Sequence, residues 1–320
     1  MNATASTPPR YALGIDVGGT TIKATVVDNN GHILMRETTP TPHGGDQAAR
    51  AIAAAVDFLT QAIAAEKVLA ADGNQVHLAE VARTIGVCVP GLVDETTGTA
   101  VLSVNVGWQD FPMAEAITSI TGRPVLVGND TRTGSLAEKR WGAGTDAESM
   151  LYCAIGTGIS ACIVVDGAPL VLHPWATEVG QLLIPDPDGH KSHKTLETVC
   201  SARAVAERYA AITGADHTTI HAEDVFAAAA AGEHHAQHVI DTAINPLAEI
   251  FSAAVGFVGP IPIVIGGGLA QAAEGFFTPL RKKLAERLGP EQRPTVIPAK
   301  LGPLSQALGC AARVFDAEGC

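Results

Sequence analysis

Apolar and polar positions alternate or cluster along the chain in two recurring ways, and the switches between them mark out the elements. Residues 11–17 and 21–28 are rich in Ile, Val and Thr and are bounded by glycines, which predicts two strands joined by a short turn. Between residues 45 and 68, Ile52, Val56, Leu59 and Ile63 repeat at helical spacing. TIGVCVPG (84–91) predicts a buried strand ending in a Pro-Gly turn, and PVLVGND (124–130) a second one. A helix over 133–141 follows, stopped by Gly142. Residues 150–170 read as strand, glycine turn, strand and turn. Residues 198–213 and 236–258 read as helices, the second bent or restarted at Pro246. A strand running into glycines at 262–268 and helices over 275–288 and 303–316 complete the pattern.

One segment recurs. LGIDVGGTTIKATVVDNNG and LYCAIGTGISACIVVDG share an order: apolar strand, small-residue turn, β-branched strand, Asp-containing hairpin. The repetition predicts an α/β protein of two duplicated lobes, each opening a sheet with the same hairpin and facing a cleft with its glycine turn. The expected division is 1–131 for the N-terminal lobe, 132–303 for the C-terminal lobe, and 304–320 as a helix returning to the first lobe.

Composition narrows the function. At 320 residues and a net charge of −12, the chain has ample core but no broad basic footprint for nucleic acid or anionic lipid. MNATASTPPR has no apolar stretch and does not read as a secretory signal, and no stretch reads as a membrane span. The six cysteines include no CxxC pair and predict free thiols in a reducing, cytoplasmic setting.

Each glycine turn allows two readings. It closes a hairpin, or it leaves backbone N–H groups bare for a polyanion. No GxxxxGK[ST] occurs, so a P-loop is excluded. Phosphates would instead meet Gly18, Gly19, Thr20, Gly156, Thr157 and Gly158, with Asp16 holding Mg²⁺ through water. VGND (127–130) also divides: Asn129 or Asp130 caps the next helix, or Asp130 is a base at a strand's C-terminal end, where α/β sheets place ligands. The paired turns favour the base.

In order and spacing, DVGGTTIK, VGND with TRTGSLAEKRWGAG, AIGTGI, ATEVGQ, TLET and VIGGG resemble the ROK sugar kinases (repressor, open reading frame, kinase) over residues 11–315. The resemblance implies an actin-like, hexokinase-like ATPase fold, ATP and Mg²⁺ as cofactors, a homodimer, and a small-molecule sugar as substrate. It makes Asp130 the catalytic base. Asn129, Asn105, Glu178 and Glu197 become sugar ligands, Lys23 a phosphate-side residue, and Gly266, Gly267 and Gly268 the adenosine-side loop. Taken alone, Glu178 and Glu197 would read as solvated charges. Two departures stand out. Gln181 replaces the family's usual histidine. The CxCGxxGC zinc motif is missing from DPDGHKSHKTLE (186–197), where His190, His193 and Cys200 match no zinc spacing and structural zinc is not expected. Family members without the cluster include certain glucose and N-acetylmannosamine-type kinases. The reading is an ATP-dependent 6-hydroxyl kinase for N-acetylmannosamine first, then glucose or N-acetylglucosamine. Its rivals are a sugar binder without turnover and a transcriptional repressor. The second is disfavoured because only 15 residues precede Asp16.

Overall fold

The computed structural model describes residues 10–216 and 218–320, so most of the N-terminal stretch read above for a signal lies outside them. The chain forms two compact units. The first takes residues up to Trp141, Val171–Trp175 and Pro303–Cys320, and the second Gly142–Leu170 and Ala176–Gly302.

In the first unit, β1 (Tyr11–Val17), β2 (Thr21–Asp28) and β3 (Ile33–Pro40) form an antiparallel meander. After α1 (Gly45–Ala64), β4 (Val81–Val89) pairs parallel with β1. A small antiparallel sheet follows, made of β5 (Leu92–Asp94), β6 (Thr99–Ser103) and β7 (Trp108–Phe111). Helix α2 (Met113–Thr121) then leads to β8 (Val125–Asn129), parallel to β4, and to α3 (Asp130–Trp141). The main sheet order is β3-β2-β1-β4-β8. Leu13, Ile15, Ile22, Val26, Ile52, Val56, Leu59 and Val87 fill the core beneath α1.

The second unit repeats this plan. Strands β9 (Met150–Ile155), β10 (Ile159–Val165) and β11 (Ala168–Pro169) form the meander, and a hairpin of β12 (Leu183–Pro185) and β13 (His193–Thr195) follows. Helices α4 (Glu197–Cys200), α5 (Ala202–Thr213), α6 (Ala222–Ala230) and α7 (His234–Val258) precede β14 (Ile263–Gly266), α8 (Glu274–Arg287) and β15 (Val296–Pro298). The order β11-β10-β9-β14-β15 matches the first sheet strand for strand, as the internal echo predicts. Helix α7 is long and apolar enough to cross a membrane by length and composition alone. Its Ala243, Ile244, Leu247 and Phe251, however, lie in the unit's core on both sides of Pro246. That stripe keeps the helix continuous through the proline, where a restart was one expectation.

The C-terminal helix (Ser305–Glu318) belongs to the first unit and lies against β1, β4 and α3. It packs with no side chain intervening. A Cβ at Gly14 would overlap the carbonyl of Ala307, one at Gly86 that of Cys310, and one at Gly309 that of Thr133. This packing places all of α3 in the first unit with the C-terminal helix.

Gly309 gives a test with opposing signs. Helix propensity alone makes Gly309→Ala stabilising by up to ~1 kcal/mol. Overlap with the Thr133 carbonyl makes it destabilising by about 1–3 kcal/mol. Urea unfolding should show the loss.

Candidate active site

In the first unit, the turn between β1 and β2 is a hairpin. The Gly18 N–H donates to the Thr21 carbonyl (2.9 Å), and the Thr41 hydroxyl donates to the Gly18 carbonyl (2.8 Å). Neither Gly18 nor Gly19 has a positive φ, and a Cβ at Gly19 would meet nothing within 4 Å. The fold therefore does not require glycine at 19. The Gly19 and Thr20 N–H groups have no partner among the described residues, so the hairpin and the bare turn expected as alternatives coexist.

Asp16 sits at the end of β1, with Lys23 Nζ 3.2 Å from one carboxylate oxygen and the Cys88 thiol 3.6 Å from the other. Burial pushes this carboxyl above the usual aspartate range, and Lys23 and Cys88 pull against it. Lys23 also donates to the Pro303 carbonyl (3.1 Å). All six cysteines are free thiols, and burial pushes Cys88 well above its ordinary pKa. One largely buried carboxylate beside a bare turn fits a Mg²⁺ that takes its remaining ligands from phosphates and water.

Asp16 and Gly128 both pair with Cys88, on opposite sides of β4. The Asp16 and Asn129–Asp130 strand ends therefore share one sheet edge, two strand spacings or roughly 10 Å apart. Asn129 caps α3: its Oδ1 accepts from the N–H groups of Thr131 (3.0 Å) and Arg132 (3.1 Å), and its Nδ2 donates to the Gly91 carbonyl (3.0 Å). Asp130 opens the helix half-buried, with Oδ1 held by the Thr131 N–H at 2.7 Å. Beneath this corner, Glu95 accepts from the Asn129 N–H (3.1 Å) and pairs with Arg132 (3.3 Å) and Arg313 (3.0 Å). None of these three was a sequence candidate, since they come from separate stretches of the chain. Asn105 is exposed in the loop between β6 and β7.

In the second unit, the turn at Gly156–Gly158 is closed by the Gly156 N–H on the Gly158 carbonyl (3.0 Å). A Cβ at Gly156 would meet nothing, whereas one at Gly158 would lie 2.8 Å from Glu197 Oε2. Glu197 therefore stands against the turn, and its Oε1 accepts from the Gln181 amide (2.9 Å). Thr177, next to Glu178, holds φ at +100°, and its carbonyl accepts from the Ser160 hydroxyl and from the N–H groups of Ala161 and Val179. A β-branched residue is strained in that region. Gly267 has φ +86° and packs on the Ile155 backbone, and Gly266 faces the Tyr152 hydroxyl, so these two glycines have structural reasons. His190 and His193 are exposed, whereas Cys200 is buried with its pKa pushed up to about 12. Among the described residues, no three or more His, Cys, Asp or Glu side chains stand together as a metal site.

The chain is similar to known proteins over most of its length. A glucokinase from Halalkalibacterium halodurans is 32% identical over 293 residues, covering 85% of this chain and 84% of that protein. An N-acetylmannosamine kinase from Salmonella paratyphi A is 26% identical over 87% of this chain and 89% of its own length. The crystal structure of a ROK hexokinase from Thermus thermophilus matches with a TM-score of 0.77 at 28% identity, over 96% of this chain and 99% of that one. The fold is the actin-like ATPase fold expected from the sequence. The model of the ROK family matches residues 12–317, and the chain belongs to that family.

Proposed function

We propose that the protein transfers the γ-phosphoryl group of ATP to the 6-hydroxyl of a hexose. The observation that carries this reading is the pair of turns at Gly19 and Gly156. Neither position needs glycine for conformation or for internal packing. The N–H groups of Gly19 and Thr20 in the first turn, and of Thr157 and Gly158 in the second, have no backbone partner among the described residues and are open to an approaching polyanion. Asp130 accepts the proton of the attacking hydroxyl. The sugar oxygen then bonds to the γ-phosphorus as the bridging oxygen leaves with ADP. Asp16 would hold the Mg²⁺, whose chemistry is to neutralise charge on the phosphate oxygens. Lys23 orients Asp16 through the bond already formed.

Glu178, Gln181 and Glu197 of the second unit, and separately Asn105 and Asn129 of the first, are each proposed as sugar ligands, because groups built to pair hydroxyls reject analogues lacking them. The relative at 32% identity supports glucose ahead of N-acetylmannosamine, which the sequence placed first. A coupled assay of ADP release across hexoses and N-acylhexosamines, with ATP and with polyphosphate, tests the reading. Turnover of none of them would defeat it.

Three variants test the parts. Asp130→Asn should fold and bind sugar but lose on the order of 10²–10⁴ in kcat. Retention of more than about a tenth of wild-type turnover would remove the base assignment. Gly19→Val should keep its thermal midpoint and raise the KM for ATP far more than that for sugar, and an equal rise in both would refute a phosphate turn. Gln181→His should shift the ratio of kcat/KM between two sugars by about 2- to 13-fold, the scale of one neutral hydrogen bond, with KM for ATP nearly constant. An unchanged ratio would place Gln181 outside the sugar site.

A further inference from the structure

The hairpin that links Gln181 to Glu197 is weakly held by its own strands. β12 and β13 pair over three residues each, and Leu182 and Leu183 are 49% and 70% exposed. Its tip is held by charge. The Asp186 carboxylate is closed to solvent. Its Oδ1 accepts from the Asp188 N–H (3.0 Å) and Lys194 Nζ (3.1 Å), and its Oδ2 from the Lys191 N–H (2.9 Å). Burial pushes this carboxyl up, but the three donors outweigh it and hold Asp186 down to about 2. Lys194 also reaches Asp188 at 3.1 Å.

Asp188 in turn receives a two-pronged contact from Arg208, Nε to Oδ2 at 2.9 Å and Nη2 to Oδ1 at 2.8 Å. Arg208 is only 6% exposed at its side chain. Its remaining N–H groups go to the carbonyls of Val199 (3.1 Å) and Val239 (3.5 Å) and to the Thr242 hydroxyl (2.7 Å). Val199 lies two residues beyond Glu197 in α4, and Val239 and Thr242 lie in α7. One guanidinium therefore ties the hairpin tip and the helix that starts at Glu197 to α7. A lysine in its place could reach one of these partners but not all of them.

We propose that Arg208 is a positioning residue for the sugar acceptor: with Asp188, Asp186 and Lys194 it forms a buried ion-pair clasp that fixes the hairpin and, through it, the spacing of Gln181 and Glu197. The proposal rests on the kinase reading for its functional half. Neither Arg208 nor Asp188 touches the Gln181–Glu197 pair, so the effect is one of placement. Small misplacements of groups that orient a reactant carry large kinetic penalties.

Arg208→Met strands a buried carboxylate and can prevent folding, so Arg208→Lys is the working variant, with Asp188→Asn as its counterpart. Two measurements apply to the full-length protein: KM for sugar and for ATP, and hydrogen exchange of the peptide spanning residues 181–197 against that spanning 150–160. Both variants should raise the sugar KM on the order of 10-fold, leave the ATP KM within about two-fold, and speed exchange over 181–197 alone. A lower melting temperature with both KM values unchanged would make the clasp structural only and overturn the proposal, as would a parallel rise of both KM values. If the wild type turns over no sugar, the kinase reading fails by itself. Exchange then decides the clasp, and unchanged protection over 181–197 overturns it.

Discussion

The first unit depends on a contact between backbones. Where Gly14, Gly86 and Gly309 bring main chain against main chain, the C-terminal helix is seated on β1, β4 and α3. The Cys310 thiol donates to the Ile15 carbonyl at 3.3 Å, one residue before Asp16. Arg313, one turn further along, reaches Glu95 beneath Asn129. The same helix therefore supports both carboxylates of that sheet edge, Asp16 from below its strand and Asp130 through the Glu95 corner. Packing at this distance has little slack, because displaced backbone cannot rotate aside as a side chain can.

The meander hairpins were legible because they rest on local signals: β-branched runs, small-residue turns, and their repetition along the chain. Elements that depend on distant partners were legible only in part or not at all. Strand β3 alternates exposed and half-buried positions through MRETTP and lacks an apolar face. Helix α3 is polar yet buried along most of its length. Its Thr133 and Ser135 hydroxyls bond to carbonyls of the preceding turn, so little of its polarity is left unsatisfied. Its start at Asp130 rather than 133 followed from Asn129 acting as the cap, one of the two roles the sequence offered for VGND. Glu95, Arg132 and Arg313 are far apart in sequence, and no spacing rule joins them. The same holds for the tip of the β12–β13 hairpin, where Asp188 and Arg208 pair across 20 residues.

Asn129 and Glu197 show how a structural role and a candidate functional role occupy one side chain. Asn129 spends its amide on the cap and on Gly91, and Glu197 is shared between the Gln181 amide and the rim of a glycine turn. The strain at Thr177 sits in the same segment as Glu178, on the order of 1–3 kcal/mol held by three donors on one carbonyl. Groups placed this way are preorganised, since their orientation is set before any ligand arrives.

The seating of the C-terminal helix also orders events during synthesis. Strands β1 and β4 leave the ribosome long before residues 305–318, so the glycine-lined face of their sheet stays uncovered while the whole second unit is made. The second unit, apart from the short excursion at Val171–Trp175, is complete by Gly302. It can close first, even though the first unit begins the chain. Until residues 305–318 are made, the glycine-lined face of β1 and β4 therefore has no backbone to seat against.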